Sequence, residues 1–401
     1  MIEIFLILAV ILVWLSFKSL RGGFTYLHFF KRELAKPVPT WTPFVTVIAP
    51  CRGVDEGMEG NLASLLQQEF PNYEIVFVVD DAADLAVEVI EHARMSSGSD
   101  QVLTKLMTAA KAVVSAQKVE NLREAVLHAD KRSEVFVFVD SDTRVSPVWL
   151  RYLVAPLEDT GVGATTGYRW FISEKPTFAS EMRSVWNSSV ASALGPNTKS
   201  NFCWGGSMAM RRDIFERIGM REKWLGTLSD DFAVTRTMQA AGLPIVHVPQ
   251  ALTATVENCT FRELLEFTTR QMKITRVYAT PLWVMTLIGT LLFNGVLLAS
   301  LLMLVLAVSD VAFWSAVGTL VWVSAFSIGK AWLRLDAVRL ALPQYRRELK
   351  RQLWTQNTLW ALSPLLFLYN SIAALLSRRM TWRGTTYELK SPTETVIIAS
   401  R

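Results

Sequence analysis

Apolar residues are concentrated in four stretches near the two ends of the chain. Residues 2–17, 281–308 and 311–328 are almost entirely apolar, and the first stretch continues to residue 20. A helix that spans the hydrocarbon core of a bilayer needs about 20 such residues, so the pattern predicts three membrane-spanning segments. Residues 357–377 are also apolar, but Ser363 and Pro364 interrupt them. This interruption favours a re-entrant or kinked segment over a straight span.

The region between these ends alternates between strand-like and helix-like patterns. Residues 44–49, 74–79 and 135–139 are continuous runs rich in Val, Ile and Phe. Such runs are typical of strands that are buried on both faces of a parallel sheet. Residues 61–69 and 122–129 have helical spacing and separate the runs. The alternation predicts an α/β fold with a mostly parallel central sheet. Two further strands are predicted at residues 206–210 and 245–248.

The same pattern predicts how the chain is divided. The predicted parts are an N-terminal transmembrane anchor (1–20), a cytosolic α/β domain (40–259), an interfacial amphipathic helix (260–280), hydrophobic segments (281–308, 311–335 and 357–377) and a C-terminal tail (378–401). The first segment has no basic region before it and no small-residue cleavage site after it. We therefore interpret it as an uncleaved anchor rather than a signal peptide.

Composition and charge support a membrane protein. Hydrophobic residues make up 51% of the 401 residues, the mean hydropathy is +0.27 and the net charge is +5. Basic residues are clustered at 18–36 and 346–351, beside the hydrophobic segments. The positive-inside rule places both clusters, and hence the α/β domain, in the cytosol. The arginines after residue 377 agree with this topology only if the last segment is re-entrant. Charge in these places favours lipid headgroups over nucleic acid as the partner.

The cysteines and histidines do not suggest metal-binding chemistry. Cys51, Cys203 and Cys259 are isolated in sequence, with no CxxC and no His at ligand spacing. This argues against a zinc site and against a disulfide framework. The four histidines are scattered, and we interpret them as structural or surface residues; they are His28, His92, His128 and His247.

Acidic residues follow the predicted strands. The second strand ends in Asp80-Asp81, the third in Asp140-Ser141-Asp142, and Asp230-Asp231 precedes a helical run. Ligands of open α/β sheets bind outside the carboxyl ends of the strands. Carboxylates there can hold a hard divalent cation that neutralises a nucleotide diphosphate, and a separate carboxylate can accept a proton from an attacking hydroxyl. Asp is also common in turns and helix caps, so one member of each pair is expected to be a cap or a supporting partner.

The order of these motifs resembles the family 2-like glycosyltransferases, and within them the ceramide glucosyltransferases and their bacterial counterparts. The segments that carry the resemblance are Pro50-Cys51-Arg52-Gly53-Val54-Asp55, Asp81 with Asp84, Asp140-Ser141-Asp142, Asp230-Asp231, Arg270-Gln271-Met272-Lys273 and Trp382-Arg383-Gly384 with Tyr387. The resemblance covers nearly the whole chain. It implies that the α/β domain is a GT-A-type, Rossmann-like glycosyltransferase domain.

The resemblance also implies roles for particular residues. Asp81 and Asp84 would contact the base and ribose of a uridine nucleotide, together with Lys118 and Asn121. Asp140 and Asp142 would bind a divalent metal, Mg²⁺ or Mn²⁺, and Asp231 would be the catalytic base. The Cys203-Trp204-Gly205-Gly206-Ser207 stretch would line the donor site, although a buried structural Cys203 is an open alternative.

The fourth motif departs from the family pattern, R/Q-x-x-R-W. Lys273 stands in place of the second Arg, and Ile274 in place of the Trp. Arg270 and Lys273 would still neutralise a diphosphate, since Lys acts as a point charge. The missing Trp removes a ring that would stack near the acceptor. Residues 261–276 combine apolar and basic side chains and also suit a basic amphipathic helix lying on the membrane. Both interpretations can hold.

The implied activity is inverting transfer of a hexose, glucose by family default, from a UDP-sugar to a membrane lipid, with ceramide as the favoured acceptor. Alternative acceptors are a hopanoid, a sterol, diacylglycerol or polyprenyl phosphate. Galactose, N-acetylglucosamine and glucuronic acid are open as the sugar. A processive polysaccharide synthase and a non-enzymatic membrane scaffold or transporter subunit are rival interpretations. The implied location is a bacterial inner membrane, in which the protein is a multi-pass integral protein.

Overall fold

The structure is a computed structural model that describes residues 2–96, 102–306 and 309–400. Contacts between residues divide the chain into two compact units. The segments of the first, called here the helical unit, are Met1–Arg32, Lys175–Ser192 and Asn258–Ser377. The segments of the second, called here the sheet unit, are Glu33–Glu174, Ala193–Glu257 and Arg378–Arg401. The units differ from the segments expected from sequence, because residues 175–192 belong to the helical unit and the C-terminal tail belongs to the sheet unit.

The sheet unit is built on a seven-stranded sheet among its described residues. The strands are β1 (Val45–Pro50), β2 (Tyr73–Val79), β3 (Leu103–Thr108), β4 (Val135–Phe138), β5 (Ala164–Ile172), β6 (Met208–Arg211) and β7 (Ile245–Val256). Their order is β3-β2-β1-β4-β6-β5-β7. Only β6 runs antiparallel to its neighbours, and the other pairs are parallel. The predicted α/β class with a mostly parallel central sheet is confirmed.

Helices alternate with these strands and continue beyond them. In chain order they are α1 (Ile2–Leu34), α2 (Met58–Leu66), α3 (Ala86–Ser96), α4 (Gln117–Ala125), α5 (Trp149–Val154), α6 (Phe178–Ala191), α7 (Arg212–Arg217), α8 (Met220–Lys223), α9 (Asp230–Ala240), α10 (Phe261–Tyr278), α11 (Thr280–Leu306), α12 (Asp310–Ala341), α13 (Arg346–Thr358) and α14 (Ser363–Leu376).

The middle strands of the sheet are buried along their whole length. Every residue of β1, β2 and β4 is buried, which agrees with the apolar runs that predicted them. Strand β3 was not predicted, because its sequence, LTKLMT, mixes polar and apolar residues. It lies at the edge of the sheet, where one side of a strand can face water. Strand β5 was also missed, and β7 extends eight residues beyond the predicted 245–248, to Val256.

The last residues of the chain form a second, smaller sheet. Strands β8 (Arg379–Trp382), β9 (Thr385–Ser391) and β10 (Glu394–Ser400) pair antiparallel in the order β10-β9-β8. No element was predicted for this tail. Tyr387 and Leu389 on β9 are buried, with 2% and 0% of their surface exposed, so the small sheet packs as an integral part of the sheet unit.

The helical unit contains the long apolar helices. Among the described residues, α1, α11 and α12 are long and apolar enough to cross a membrane. The first helix is longer than the predicted anchor, because it continues to Leu34. The segment 343–361 and α14 form a further apolar pair that is bent by 59°. A bend of this kind fits a broken span or a re-entrant segment, and the re-entrant interpretation stays a prediction.

Candidate active site

The sheet order brings the predicted acidic residues to one edge of the sheet. Strand β1 lies between β2 and β4, and all three run parallel. Asp80 and Asp81 directly follow β2, while Asp140 follows β4 after one intervening residue. Because adjacent strands lie about 4.8 Å apart, the ends of β2 and β4 are separated by about 10 Å. A nucleoside diphosphate is long enough to bridge such a distance.

Lys118 joins acidic residues from two different elements. Its Nζ lies 2.7 Å from Oδ1 of Asp140 and 3.1 Å from Oδ1 of Asp230. The side chain of Lys118 is 15% exposed and that of Asp230 only 4% exposed. Burial by itself lowers the pKa of the Lys118 ammonium, but the charges of Asp140, Asp230 and Asp231 outweigh burial and hold this pKa above its ordinary value. Lys118 therefore stays charged and ties the end of β4 to the start of α9.

Asp231 is held in a fixed orientation in the first turn of α9. Its Oδ1 accepts hydrogen bonds from the hydroxyl of Ser229 and, at 2.7 Å, from the backbone N–H of Phe232. Its Oδ2 accepts a hydrogen bond from the backbone N–H of Gly205, 3.2 Å away. Ser229 is also the N-cap of this helix. A carboxylate is favoured at a helix N-terminus, and Asp231 is more exposed to solvent than its buried neighbour Asp230.

Asp230 faces the interior rather than solvent. Burial raises its pKa to about 6, although the Lys118 ammonium acts in the opposite direction. Gly205 packs directly against Asp230 and Lys118, and a Cβ atom at this position would require these two side chains to shift. Of the two acids, Asp231 is thus the one that a substrate can reach, and Asp230 supports Lys118 from behind.

Asp142 has its own cationic partner. Its Oδ2 lies 3.5 Å from Nη1 of Arg169, a residue of β5 that the sequence analysis did not single out. The guanidinium of Arg169 also lies 5.3 Å from the ring centroid of Trp204, in the predicted donor-lining stretch. Burial, followed by the charge of Asp140, raises the pKa of Asp142 to about 6. The two acids of the D-x-D motif are therefore close enough to repel each other.

The acidic residues after β2 are engaged in local contacts. Asp80 is buried and lies 3.0 Å from Nζ of Lys111, which is 3.4 Å from Asp81. Asp81 is 54% exposed, which leaves it accessible to a ligand. Oδ1 of Asp84 accepts hydrogen bonds of 2.8 Å from the backbone N–H groups of Gly53 and Ala86. Asp84 therefore fixes the loop after β1 against the start of α3.

The other predicted nucleotide-side residue, Asn121, is inside the protein. It is 2% exposed, and its Oδ1 accepts a 2.9 Å hydrogen bond from the side chain of Gln117. Gln117 also bonds to the backbone of Ala110 and Ala112. Asn121 thus supports the loop that carries Lys111, and a direct contact between Asn121 and a nucleotide stays a prediction.

Arg270 and Lys273 lie on α10 in the helical unit. The guanidinium of Arg270 is 5.6 Å from the ring centroid of Phe267. Burial lowers the pKa of Lys273, as expected for an ammonium that has lost part of its hydration. Thr260 and Glu263 form a capping box at the start of this helix. The predicted role of both cations toward a diphosphate stays a prediction.

The cysteines and the buried histidine behave as structural residues. Cys51, Cys203 and Cys259 are free and buried. Burial raises the pKa of the Cys51 and Cys203 thiols, so both are poor nucleophiles at neutral pH. Nδ1 of His247 lies 3.2 Å from the carbonyl oxygen of Thr166.

Sequence reasoning missed a cation on the C-terminal sheet. Arg383 lies in the turn between β8 and β9, and its Nη1 donates a 2.7 Å hydrogen bond to Oδ1 of Asp55. The two residues are 328 positions apart, so no local signal indicated the pair. The only sequence signal was the Trp382-Arg383-Gly384 motif itself, to which no role had been given.

The two acids of the D-x-D motif suit a divalent cation. Among the described residues, no group of three or more His, Cys, Asp or Glu side chains is arranged to hold a metal. Mg²⁺ is commonly bound by one or two carboxylates, with substrate phosphates and water completing the shell. Asp140 and Asp142 are 24% and 25% exposed, and a divalent cation would relieve their mutual repulsion. The residues present therefore fit a metal bound together with a nucleotide.

Comparison with known proteins gives a family match over nearly the whole chain. The sequence model of the family described as glycosyl transferase family 21 matches residues 9–395. A ceramide glucosyltransferase from Komagataella phaffii is 33% identical over 70 residues, which are 18% of this chain and 14% of that protein. The chain thus aligns with only a small part of the length of this curated relative.

Two solved structures show limited similarity to this chain. The mannosyltransferase PcManGT from Pyrobaculum calidifontis, solved with GDP-Man and Mn²⁺, has a TM-score of 0.48 and 16% identity, covering 92% of this chain and 99% of that chain. Glucosyl-3-phosphoglycerate synthase from Mycobacterium tuberculosis, solved with phosphoglyceric acid, has a TM-score of 0.37 and 15% identity, covering 59% of this chain and 84% of that chain. At these scores, neither structure indicates an activity for this chain.

Proposed function

The chain belongs to glycosyl transferase family 21, and on this basis we propose that it moves a hexose from a UDP-sugar to the hydroxyl group of a membrane lipid, inverting the anomeric carbon. Sugar transfer follows from the family. We further propose glucose as the sugar of the donor and ceramide as the first candidate for the acceptor. Ceramide is supported by the name of the curated relative and by the membrane-length helices.

The observation that carries the proposal is the bridge that Lys118 makes between Asp140 and Asp230. Through it, acids that lie about 90 residues apart surround one ammonium, with Asp231 adjacent. Four carboxylates, those of Asp140, Asp142, Asp230 and Asp231, share two cationic partners, Lys118 and Arg169. The excess of negative charge would repel a diphosphate. The site therefore requires a further cation before it can accept a nucleotide-sugar.

We propose that Asp140 and Asp142 hold this cation as Mg²⁺ or Mn²⁺. A divalent cation bound there would neutralise the charge that develops on the departing diphosphate. Lys118 would keep Asp140 ionised and in place. Arg169 would do the same for Asp142, because its charge opposes the rise in the pKa of Asp142 that burial and Asp140 cause. Asp81 and Asp84 would hold the base and ribose of the uridine nucleotide, with Asn121 supporting them.

The acid that remains for proton transfer is Asp231. It would accept the proton of the acceptor hydroxyl while the hydroxyl oxygen forms a bond to the anomeric carbon. The bond from that carbon to the diphosphate would break on the opposite face, so the configuration inverts. The three hydrogen bonds that Asp231 accepts would fix its direction toward the acceptor. Arg270 and Lys273 would assist the departing charge.

The membrane supplies the acceptor in this proposal. Basic residues near the ends of α1 and α13 favour a cytosolic sheet unit by the positive-inside rule. The acceptor hydroxyl of a lipid lies at the headgroup level, within reach of an enzyme held against the bilayer. The donor is water-soluble and would come from the cytosol.

The test is a matrix of donors and acceptors with the purified full-length protein in detergent. UDP-glucose, UDP-galactose, UDP-N-acetylglucosamine and UDP-glucuronic acid are each offered with ceramide, diacylglycerol, a hopanoid, a sterol and polyprenyl phosphate. We expect one glycolipid product, glucosylceramide, which disappears on addition of EDTA and returns with Mn²⁺ or Mg²⁺. Formation of a glycosylated product from another lipid would change the proposed acceptor and leave the proposed reaction intact. Absence of transfer and of UDP-sugar hydrolysis with every pair would contradict the enzyme and favour a scaffold.

A further inference from the structure

Arg383 occupies an unusual backbone position. Strands β8 and β9 are joined by the two residues Arg383 and Gly384, whose φ angles are 50° and 77°. Positive φ at both central residues defines a type I′ hairpin turn, for which Asn-Gly is the preferred sequence. Among the described residues, Arg383 is the one non-glycine residue with positive φ. An arginine here is conformationally unfavourable, and residues held in such conformations are concentrated at functional sites.

The side chain of Arg383 reaches the loop that follows β1. Its guanidinium forms a two-pronged ion pair with Asp55, in which Nη1 lies 2.7 Å from Oδ1 and Nη2 contacts Oδ2. Nη1 also donates to the backbone carbonyl oxygen of Arg52, 3.2 Å away. The side chain is 38% exposed and that of Asp55 is 22% exposed, so the pair is partly accessible from solvent.

Arg383 is also close to the acids of the candidate metal site. Burial lowers the pKa of Arg383, but the ion pair with Asp55 and the charges of Asp142 and Asp140 hold it above its ordinary value. The loop that Arg383 contacts follows β1, the strand between β2 and β4, so Arg383 lies at the edge of the sheet that also carries Asp140. Arg52 contributes a second guanidinium on the same side, with Nη1 donating to Oγ1 of Thr385 at 3.4 Å.

The small sheet is anchored without Arg383. The Tyr387 hydroxyl accepts a 3.4 Å hydrogen bond from the backbone N–H of Gln117, and Tyr387 is buried. Gly226 packs so closely against the backbone of Thr393 that it has no room for a side chain. These contacts hold the sheet in place. The preference of the turn alone would therefore favour asparagine at position 383, so we attribute the arginine to the contacts of its guanidinium rather than to the turn.

We propose that Arg383 binds the diphosphate of the nucleotide donor, with Asp55 holding the guanidinium in position for this contact. This inference rests on the proposed function and adds a residue to it. A planar guanidinium offers paired N–H donors that match phosphate oxygens. The C-terminal hairpin then forms one wall of the donor site, opposite Asp140 and Asp142. Arg383 would supply positive charge to the donor site from within the sheet unit.

The test compares Arg383→Asn with Arg379→Gln. Asparagine preserves or improves the turn while removing the guanidinium. Arg379 lies on β8 of the same hairpin, is 68% exposed and pairs with Glu388, so its replacement controls for loss of one positive charge. Binding of UDP, GDP and uridine is measured by calorimetry in the presence of Mn²⁺, together with the thermal unfolding midpoint of each protein.

We expect Arg383→Asn to raise the Kd for UDP about tenfold, the loss expected for a hydrogen-bonded contact between charged groups, with the Kd for uridine unchanged. The unfolding midpoint should change little, because the ion pair with Asp55 is partly exposed. Arg379→Gln should match the wild type in the Kd for UDP, the Kd for uridine and the unfolding midpoint. Equal UDP affinity in Arg383→Asn and the wild type would overturn the inference and leave the proposed function intact. A lower unfolding midpoint with equal losses for UDP and uridine would overturn it as well, since the role would be structural. A wild type that binds neither UDP nor GDP would overturn both proposals.

Discussion

Gly205 lies so close to Lys118 that a Cβ atom on Gly205 would be 2.8 Å from the lysine Nζ. The same Cβ would also contact a carboxylate oxygen of Asp230. A side chain at this position would therefore displace the ion pair between Lys118 and Asp230. The backbone N–H of Gly205 faces the other way and donates to Asp231, so one residue positions both members of the acidic pair.

The first prediction is that Gly205→Ala strongly reduces activity. The added methyl group displaces Lys118 and Asp230, and Asp140 and Asp231 shift as a result. A displacement of about 1 Å in an active site costs about 100-fold in rate. Initial rates of glycolipid formation measure the effect. Gly195→Ala is the matched control, because nothing lies within 4 Å of a Cβ there. Full activity in Gly205→Ala would show that displacement of Lys118 and Asp230 does not affect catalysis.

The second prediction is that Lys118→Met destabilises the protein. It leaves the carboxylates of Asp140 and Asp230 without their ammonium, and removal of one partner from a buried ion pair costs about 3 kcal/mol. Thermal unfolding in detergent measures the change. Lys111→Met is the control, since Lys111 also pairs with two acids but is 61% exposed. This substitution should lower the free energy of unfolding by less than about 1 kcal/mol. Similar effects of both substitutions would contradict the special role of Lys118.

The third prediction is that Asp231→Asn removes turnover while UDP still binds. An amide cannot accept the proton of the acceptor hydroxyl, and loss of a general base lowers the rate by about 10² to 10⁴-fold. Rates of transfer and the Kd for UDP with Mn²⁺ are measured on the same preparation. Asp213→Asn removes an acid that is 59% exposed and paired with Arg211, and it should behave like the wild type. Normal turnover in Asp231→Asn would assign proton transfer to another group.

The fourth prediction concerns pH and His247. Burial lowers the pKa of His247 from 6.5 to about 4. Above pH 6.5 the imidazole is neutral in both the folded and unfolded chains. Between pH 6.5 and 4 the unfolded chain takes up a proton that the folded protein does not. Stability attributable to His247 is thus present above this window and lost as the pH falls through it, by about 3 kcal/mol in total.

His247→Gln isolates this effect from the carboxylates. Glutamine can still donate to the carbonyl oxygen of Thr166 but does not titrate. Thermal unfolding midpoints at pH 7 and pH 4.5 should show a smaller acid-induced drop for His247→Gln than for the wild type. An equal drop in both proteins would mean that other groups dominate acid destabilisation.

Much of the architecture was predictable because it depends on local patterns. Strands β1, β2 and β4 consist mostly of apolar residues, and such strands are favourable only when they are buried on both faces. Three long apolar helices follow from composition and length. Asp140 lies at the edge of the sheet because parallel strands bring their carboxyl ends together.

Other elements were missed because their sequences lack such a pattern. Strand β3 alternates between exposed and partly buried residues at the edge of the sheet. Strands β8 and β9 mix polar and apolar residues, and β10 has only a short apolar run, residues 396–399, so these strands depend on pairing with their neighbours. Their stability is decided by tertiary contacts, since an isolated polar hairpin is marginal in water.

The sequence by itself determined which residues are acidic, which segments are apolar and which strand each acid follows, because all three are properties of neighbouring positions. Only the tertiary structure decided the partners of those acids. Lys118 is paired with Asp140 and Asp230, Asp142 with Arg169, and Asp55 with Arg383. The physical reason is that ion pairs form between side chains that folding brings within a few ångströms, and sequence separation carries no information about that distance.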